Sequence, residues 1–438
     1  MTQQTDAPAA PTRLPSARSL RGLDAMNFFL ADVRDGLGPY LAIYLLAVRG
    51  PEQGWNEATI GLVMTIAGIA GLIAQTPAGA LIDRTNNKRG VVIAAAVAVT
   101  LSCLALPFVS NFYVVAATQS VAGIAGAIFP PAIAAITLGV VGPKMFARQV
   151  GRNEGFNHAG NAASAMIAGG SAYFFGPIVV FWLMAILAFV SIAATLMIPG
   201  DAIDDDLARG MDHTKTVAEG ADQPSGIGAL LQNKHLMLFA GLCAAFHLAN
   251  AAMLPSVGQL LTKISGKDHA TSLIALCIVA AQLVMVPVAV FVGAKADIIG
   301  RKPIFLTAFG FLAIRGVLYT FSDDPFWLVA VQCLDGIGAG IYGALFPLVV
   351  ADLTRGTGRF NVAQGAVATA QGVGASFSAT LAGVIIVGAG FSTAFLVLAA
   401  ISAAGFVVYL TLMPETRGYE PPGVQTPPAS AVAIPVGA

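Results

Sequence analysis

The chain of 438 residues contains twelve apolar stretches, and their length is that of a membrane crossing. A hydrocarbon core about 30 Å thick is crossed by about 20 helical residues, because an α-helix rises about 1.5 Å per residue. Each stretch therefore predicts one transmembrane helix. Joints such as 388–390 are so short that the helices on either side must run antiparallel. The predicted spans cover residues 24–48, 58–82, 90–109, 112–138, 155–174, 177–198, 234–261, 270–294, 303–321, 326–350, 362–387 and 391–413.

The composition agrees with a membrane protein and excludes several other classes. Charged residues make up 11% of the chain and hydrophobic residues 56%. A soluble domain carries about 25% charged residues, so this chain could not cover a water-facing surface. The 23 basic and 23 acidic residues cancel, which removes the positive charge that nucleic-acid binding requires. Composition therefore excludes a cytosolic enzyme, a disordered chain and a nucleic-acid-binding protein.

The two halves of the chain repeat each other. Gly79 and Gly293 are 214 positions apart, and so are Asp83 and Asp297. Six spans per half give both copies the same orientation, so the repeats are related by an axis along the membrane normal. The predicted fold class is an all-α membrane protein with twelve transmembrane helices in two pseudo-symmetric six-helix bundles. Two such bundles can rock about a site between them, which favours a transporter.

The distribution of basic residues predicts the orientation. With both termini in the cytoplasm, 18 of the 23 Lys and Arg residues lie on the cytoplasmic side and three on the outer side. We therefore expect a multi-pass monomer in the plasma (bacterial inner) membrane with both termini cytoplasmic. The expected segments are a flexible cytoplasmic tail 1–22, an N-terminal bundle 23–198, a cytoplasmic linker 199–233, a C-terminal bundle 234–413 and a cytoplasmic tail 414–438.

The sequence carries no pattern of the kind that enzymes or metal sites use. Cys103, Cys243, Cys277 and Cys333 lie in apolar runs without a CxxC or Cys/His spacing, and we interpret them as small buried side chains. The acidic run 204–206 lacks the alternating ligands of an EF-hand, which favours a solvated linker over a calcium or partner site. No phosphate-binding glycine loop with Lys and Ser or Thr is present. We expect no metal, no cofactor and no enzymatic activity.

Two loop motifs and a tail motif carry a resemblance to a known family. A glycine, an acidic residue four positions later and paired basic residues follow spans two and eight, and Pro-Glu-Thr-Arg-Gly at 414–418 follows span twelve. In these features the chain resembles the major facilitator superfamily over about residues 24–418, although Asn86 stands where that family usually has glycine. The motif residues are Gly79, Asp83, Arg84, Lys88 and Arg89 in the first loop and Gly293, Asp297, Gly300, Arg301 and Lys302 in the second.

The resemblance implies that the loop motifs act in gating. A carboxylate at Asp83 or Asp297 can face a helix N-terminus across the bundle and pair with a nearby Arg or Lys. Such contacts would stabilise the outward-open state of an alternating-access transporter. The alternative is that the basic loops only set the membrane topology and that the acids are incidental.

Charged residues inside a span are candidates for function, because each costs about 2.5–3.5 kcal/mol or more at the helix centre. Span one carries Asp32, Arg34 and Asp35, and the two acids share a face because they are three positions apart. We expect Asp32 or Asp35 to carry a proton, and Arg34 to pair with it or hold a substrate anion. A structural ion pair is the alternative. Many proton-coupled antiporters of the resembled family have an arginine where span four has Gln119, which would instead offer neutral hydrogen bonds to the substrate.

Polar residues of spans five and seven extend the candidate set. His158 and Asn161 lie in span five, and His247 and Asn250 lie in span seven. We expect them to line a central cavity, because a lipid-facing Asn would lack hydrogen-bond partners. Either histidine could carry a proton near physiological pH, and a hydrogen-bonded structural role is the alternative.

Spans nine and ten contribute a predicted ion pair. Arg315 and Asp335 are joined by a short outer hairpin and lie at similar depth, which favours a structural pair. The alternative is that Asp335 lines the cavity as a coupling group. Gln332, which repeats the position of Gln119 after 213 residues, completes the candidate set.

These patterns together predict a secondary active transporter that moves a small organic molecule across the inner membrane by alternating access. Proton-coupled efflux, by an antiporter, is favoured. The expected partners are a small-molecule substrate, protons as the coupling ion and the lipid bilayer, and not nucleic acid. The alternatives are a proton-coupled symporter that imports a small organic anion, and a membrane receptor or scaffold that keeps the fold without transport.

Overall fold

A computed structural model describes most of the predicted bundle. The second half of predicted span one, the start of the chain and the end of the tail lie almost entirely outside the described residues. The described residues are 15–35, Leu45, Trp55, 57–175, 178–211 and 227–419.

The long regular elements of this described part are α-helices, in agreement with the predicted all-α class. Short 3₁₀ turns occur at Leu106–Phe108 and Gly200–Ala202. In chain order the α-helices are α1 (Ala17–Asp35), α2 (Glu57–Arg84), α3 (Lys88–Leu104), α4 (Phe112–Gly126), α5 (Phe129–Phe175), α6 (Val179–Met197), α7 (Asp205–Ala208), α8 (Ile227–Gln232), α9 (Lys234–Asn250), α10 (Met253–Ile299), α11 (Arg301–Leu318), α12 (Pro325–Thr354) and α13 (Phe360–Leu412).

Eight stretches of the described residues are long and apolar enough to cross a membrane. Two of them have 57 and 53 residues, whereas about 20 residues cross one bilayer. Each of these two contains a break with positive φ, at Gly142 (φ 68°) and Gly390 (φ 84°), which only glycine adopts easily. The breaks lie close to the predicted limits between spans four and five and between spans eleven and twelve. The stretches are Leu62–Arg84, Lys88–Phe108, Phe112–Ala168, Val179–Met197, Lys234–Ser265, Leu273–Ile299, Pro325–Thr354 and Phe360–Leu412.

Side-chain caps fix several helix starts. The Oγ of Ser16 accepts a hydrogen bond from the backbone N–H of Ser19 at 3.0 Å, so α1 already begins at Ala17, earlier than the apolar run predicted from residue 24. The Oδ1 of Asp324 likewise accepts from the N–H of Trp327 at 2.9 Å, with proline at the first position of α12. Polar caps thus extend helices beyond the apolar core that hydropathy detects.

The helices pack as two bundles with two main contacts between them. In the N-terminal half α1 packs on α5 and α6, and in the C-terminal half α9 packs on α13 and α10 on α12. Between the halves α2 packs on α13 and α5 packs on α10. These pairs correspond to spans two and eleven and to spans five and eight, which the predicted repeat relates to each other. Cys103, Cys243 and Cys277 are buried, as predicted, whereas Cys333 is partly exposed.

The first part of the predicted linker packs against the bundle. The N–H of Asp204 donates to the carbonyl of Gly139 at 3.0 Å, and Ala208 in α7 is completely buried. We expected a solvated linker, and the described residues 199–211 are instead partly folded into α7 and docked. The rest of the acidic linker, 212–226, lies outside the described residues.

Candidate functional site

Glycines bring the backbones of α2 and α13 into contact. A Cβ at Gly79 would overlap the carbonyl oxygen of Asn361, and a Cβ at Gly365 would overlap that of Gln75. Both obstacles are backbone atoms, which cannot move aside as a flexible side chain can. We call this contact the α2–α13 seam. Glycine is required at these positions because the two helix backbones touch there, and not because the chain adopts a positive φ.

A second seam of the same kind joins α5 to α10. A Cβ at Gly293 would lie 2.7 Å from the Cα of Gly151, and a Cβ at Gly155 would lie 2.9 Å from the side chain of Val290. We call this contact the α5–α10 seam. Gly79 and Gly293, which are 214 positions apart, therefore occupy equivalent close crossings between the halves. Both seams lie at the end of the bundle that carries the basic loops, hereafter the basic end.

Asp83 caps a helix of the opposite half. Its carboxylate accepts hydrogen bonds from the N–H of Val362 at 2.8 Å and from the N–H and Nδ2 of Asn361 at 3.2 and 2.8 Å. The residue is only 4% exposed. The carboxylate thus neutralises the positive end of the α13 dipole across the interface between the halves. The contact implied for Asp83 is present.

The basic residues of the first loop hold the linker and α6. Lys88 is buried, and its Nζ donates to Oδ1 of Asp205 at 2.5 Å. Arg89 donates from Nη1 to the carbonyl of Ile198, just after the end of α6, at 2.5 Å. Arg84, by contrast, is exposed. Lys88 and Arg89 therefore have defined packing roles in addition to any effect on topology.

The docked linker touches both halves beside Asp83. The carbonyl of Ala208 accepts from Nδ2 of Asn361 at 2.9 Å, and the carbonyl of Gly210 accepts from the N–H of Gly356 at 2.7 Å. Arg209 donates to Oδ1 of Asn86, the residue that departs from the family pattern, at 2.8 Å. The loop, the linker and the start of α13 form one network. Its central residues, which we call the motif network, are Gly79, Asp83, Lys88, Asp205 and Asn361.

The second loop motif makes different contacts. Asp297 has a side chain that is 47% exposed and pairs with Arg301 at 2.7 Å, within its own half. The expectation that Asp297 faces a helix N-terminus across the bundle is therefore not met. The physical reason is that Arg301, four positions further along the chain, supplies a cationic partner for the Asp297 carboxylate within the same half. The start of α11 in this half is capped by Glu415, which accepts from the N–H of Arg301 at 2.8 Å and from that of Lys302 at 3.1 Å.

The tail motif fastens the turn between α10 and α11. Arg417 donates from Nη1 to the carbonyls of Asp297 and Ile298 at 2.9 and 2.7 Å, at the end of α10. The turn itself passes through Gly300 at φ 102°, a conformation that requires glycine. Arg301 also donates to Asp352 of α12 at 3.1 Å. The second motif and the tail motif are thus hydrogen-bonded to each other and to α12 inside the C-terminal half.

The candidates in spans one and four lie in the N-terminal half. Asp32 and Arg34 are partly exposed in α1, and the side chain of Asp35 lies outside the described part of the chain. A Cβ at Gly126 would lie 3.3 Å from the carbonyl of Arg34, so the end of α4 packs there. Gln119 is buried, and its Nε2 has no hydrogen-bond partner among the described residues. A role for this donor in binding substrate stays a prediction.

The C-terminal half brings four predicted residues into one network. Arg315 is 1% exposed and donates to Asp335 and, from Nη2, to Asn250. Gln332 donates to the second carboxylate oxygen of Asp335 at 3.0 Å and accepts from the hydroxyl of Tyr319. The predicted ion pair is present. Its atoms are largely satisfied within one half, which is the geometry of a structural pair.

His247 lies apart from His158. Its Nδ1 is 3.0 Å from the carbonyl of Cys243 in the same helix, and its ring contacts that of Tyr342 edge-on, with centroids 4.7 Å apart. The hydroxyl of Tyr342 donates to Gln371 of α13 at 3.0 Å. His247 therefore belongs to the aromatic packing between α9 and α12.

The structure adds Glu154, which sequence reasoning missed. Its Oε2 lies 3.8 Å from Nε2 of His158, and Nδ2 of Asn157 donates to the same oxygen at 3.4 Å. Nδ1 of His158 lies 2.8 Å from Oε1 of Gln282, which belongs to α10 in the other half. The spacing Glu-x-x-x-His, which places both side chains on one helix face, is the signal that could have found this cluster. The side chain of the nearby candidate Asn161 is partly exposed.

Comparisons with known proteins agree with this architecture. The family model described as Major Facilitator Superfamily matches residues 25–314 and 267–436. An uncharacterized MFS-type transporter of Mycobacterium tuberculosis strain H37Rv is 57% identical over 399 residues, covering 91% of this chain and 94% of the relative. The inner membrane transport protein YajR of Escherichia coli K12 is 25% identical over 362 residues, covering 79% of this chain and 74% of YajR.

A solved structure shows the same fold. The MFS proton:xylose symporter XylE, bound to 6-bromo-6-deoxy-D-glucose, superposes with a TM-score of 0.73 at 14% identity, covering 92% of this chain and 96% of XylE. The predicted two-bundle fold of twelve transmembrane helices is thus confirmed. The chain belongs to the major facilitator superfamily and is a multi-pass membrane transporter rather than an enzyme.

Proposed function

We propose that this protein is a proton-coupled secondary transporter that exports a small organic molecule across the bacterial inner membrane. The observation that supports alternating access is the pair of glycine seams, at which both halves meet at the basic end. Bundles that meet at one end through bare backbone can separate there as rigid bodies, as alternating access requires. With the basic end in the cytoplasm, as the positive-inside rule favours, this arrangement is closed to the cytoplasm.

The motif network supports this assignment of the state. The carboxylate of Asp83 binds the start of α13 only while the halves are together, so the contact stabilises the cytoplasm-closed state. Opening to the cytoplasm would break it together with the α2–α13 seam. Both termini then lie in the cytoplasm, and the protein acts as a monomer.

The proposed route for the substrate runs between the halves above the seams. Asp32, Arg34 and Gln119 supply charge and hydrogen bonds from the N-terminal half, and Asn161 adds a polar group on α5. The Nε2 donor of Gln119, which has no hydrogen-bond partner among the described residues, supports a substrate that accepts hydrogen bonds. Arg315 and Asp335 act as a structural pair in the C-terminal half.

Transport in oriented vesicles tests the proposal. A compound panel is first screened by thermal shift on the purified chain, and a compound that stabilises it is then offered to everted and right-side-out vesicles. An exporter accumulates the compound in everted vesicles with an acidic interior, and accumulation stops when the pH gradient is collapsed. Proton-driven uptake into right-side-out vesicles would instead indicate the importer of a small organic anion. Binding without counterflow would indicate a receptor or scaffold.

A further inference from the structure

A row of basic side chains follows one face of α5 at the basic end. Lys144, Arg148 and Arg152 are spaced four residues apart, so they lie on the same face of the helix, and all three are exposed. The next residue of this face is Phe156, and the guanidinium carbon of Arg152 lies 5.5 Å from the centroid of its ring. Predicted span five begins at residue 155, so the row of cations ends where the apolar run begins.

The start of α1 lies beside this row. The carboxylate of Asp24 is only 6% exposed and accepts hydrogen bonds from Nε and Nη2 of Arg152 at 2.7 and 2.6 Å. Further along, a Cβ at Gly160 would overlap the carbonyl oxygen of Phe28. The contact thus advances along both chains together, so α1 and α5 run in the same direction. The face of α1 that carries Asp24 and Phe28 is the one turned towards α5.

Arg21 continues this face of α1 towards the basic end. It precedes Asp24 by three residues and Phe28 by seven, and such spacings place side chains on one helix face. Arg148 likewise lies one turn before Arg152 on α5. Because Asp24 and Arg152 are in contact and the two helices run in the same direction, Arg21 and Arg148 lie at the same level, one turn closer to the basic end.

These side chains form an uncompensated positive patch. The only acid that contacts one of them is Asp24, which is already paired with Arg152, and Nη1 of Arg152 has no partner among the described residues. The side chains of the other four bases make neither a hydrogen bond nor an ion pair within the described part of the chain. Five bases and one acid leave four positive charges. We call this surface the α1–α5 basic patch, and its bases are Arg18, Arg21, Lys144, Arg148 and Arg152.

The patch has a feature that membrane topology alone does not require. The positive-inside rule accounts for the number of bases on one side of the membrane, and it is satisfied whichever way they face. Here they lie along the contact of two packed helices, with Arg21 and Arg148 at the same level. Like charges that are close together repel each other, and an anion placed between them removes this cost. Arginine is suited to phosphate in particular, because its planar guanidinium can donate two parallel hydrogen bonds.

We propose that the α1–α5 basic patch binds the headgroup phosphate of an anionic phospholipid from the cytoplasmic leaflet. A lipid fits this surface better than a soluble anion does, because the same face of α5 becomes apolar beyond the last arginine. It continues with Phe156, Ala159 and Ile167, the last of which is 51% exposed. The phosphate lies against the arginines, and the acyl chains lie along this apolar continuation. Basic clusters beside a membrane span attract anionic lipids of the cytoplasmic leaflet in this way.

Competition between two lipids with identical acyl chains tests the proposal. The purified full chain is titrated in detergent with phosphatidylglycerol or phosphatidylcholine, and the bound lipids are counted by native mass spectrometry. The parent is expected to bind phosphatidylglycerol more tightly. Arg21→Gln/Arg148→Gln is expected to weaken phosphatidylglycerol binding about 30-fold, at about five-fold for each cation removed, and to leave phosphatidylcholine binding unchanged.

A matched control removes the same charge elsewhere. Lys234→Gln/Lys295→Gln neutralises two exposed bases of the basic end that lie outside the patch, and it is expected to keep the parent's preference. A patch variant that also keeps this preference, or a parent that has none, would overturn the site. Inorganic phosphate is added as a competitor and is expected not to displace the lipid. Displacement by phosphate alone would overturn the lipid as the occupant.

A second measurement uses the parent alone, so it holds even if the double variant folds poorly. Phosphatidylglycerol with a photoreactive diazirine in its headgroup is incorporated into vesicles with the full chain, irradiated, and mapped by peptide mass spectrometry. Adducts are expected in the segments 17–24 and 144–156, which carry the patch. An excess of unlabelled phosphatidylglycerol should suppress them. Adducts confined to other segments of the basic end would overturn the proposal.

Discussion

The carboxylate of Asp83 and the backbone N–H of Asn361 are hydrogen-bonded although the residues belong to different halves of the chain. Together with Val362, this contact gives the start of α13 an acidic cap that its own half does not supply. Asn361 also holds the linker through the carbonyl of Ala208. The side chain of Asn361 thus connects the C-terminal bundle to the first loop, through Asp83, and to the linker, through Ala208.

Replacing Asp83 tests the value of this cap. Asp83→Asn removes the charge that interacts with the α13 dipole, which we expect to shift the equilibrium towards the open basic end by about 1 kcal/mol, about five-fold. The measurement is the rate at which a membrane-impermeant maleimide labels Thr369→Cys from the basic side. Asp297→Asn is the matched control, because Asp297 caps no helix across the interface. Equal labelling rates for the two variants would contradict the capping role.

The glycine seams predict that the effect of a Gly→Ala substitution depends strongly on whether the glycine lies in a seam. Gly79→Ala places a Cβ against the backbone of Asn361, and overpacking of this kind costs about 1–3 kcal/mol. We expect it to destabilise the closed state and to increase the labelling of Thr369→Cys. Gly241→Ala is the control, because a Cβ there meets nothing within 4 Å. If both alanine variants behave like the parent, the close contact at Gly79 does not hold the halves together.

The Lys88–Asp205 pair predicts coupling between the loop and the linker. Lys88 is fully buried and Asp205 is 30% exposed, so neutralising the acid leaves a buried ammonium without the counter-charge that the described structure shows for it. We expect Asp205→Asn and Lys88→Met each to lower the thermal stability, and the double variant to lose less than the sum of the two. Additive losses in the double-mutant cycle would show that the two side chains act independently.

The Arg315–Asp335 pair is expected to be structural. Removing one partner of a buried pair costs about 3–5 kcal/mol, because the other charge is left in low dielectric. Arg315→Leu and Asp335→Leu should therefore each give little detergent-extracted monomer, and the double variant should recover yield and some vesicle transport. A double variant that folds well but does not transport would place Asp335 in the transport site.

Much of the fold was predictable because it follows from hydropathy and from a repeated motif, and both can be seen in the sequence. Hydropathy over about 20 residues marks the spans, and the 214-residue repeat predicts that Gly79 and Gly293 are equivalent. The motif at Asp83 predicted a contact with a helix start across the bundle. The same reasoning failed at Asp297, because its carboxylate pairs with Arg301 of its own half, a contact that the repeated motif does not indicate.

Glu154 shows where reading the sequence alone was insufficient. The apolar run of span five begins at residue 155, so hydropathy places this acid outside the predicted span. In the structure, however, α5 is helical on both sides of its single break at Gly142, and Glu154 lies within the packed helix. The neighbouring His158 is hydrogen-bonded to Gln282, which is 124 positions away along the chain, and no local pattern indicates that pairing. Contacts across the seam depend on how the bundles dock, which hydropathy does not encode.

The most direct test of alternating access is to cross-link α2 to α13 across the α2–α13 seam. The hydroxyl oxygens of Thr76 and Thr369 are 3.2 Å apart across the halves, so cysteines at these two positions would bring their sulfur atoms close to each other. Counterflow of a stabilising compound from the thermal-shift panel is measured in the double cysteine variant before oxidation, after oxidation and after reduction. The account predicts that oxidation stops counterflow and that reduction restores it, while each single cysteine variant transports throughout. Undiminished counterflow in the cross-linked protein would contradict the claim that the halves separate at this seam.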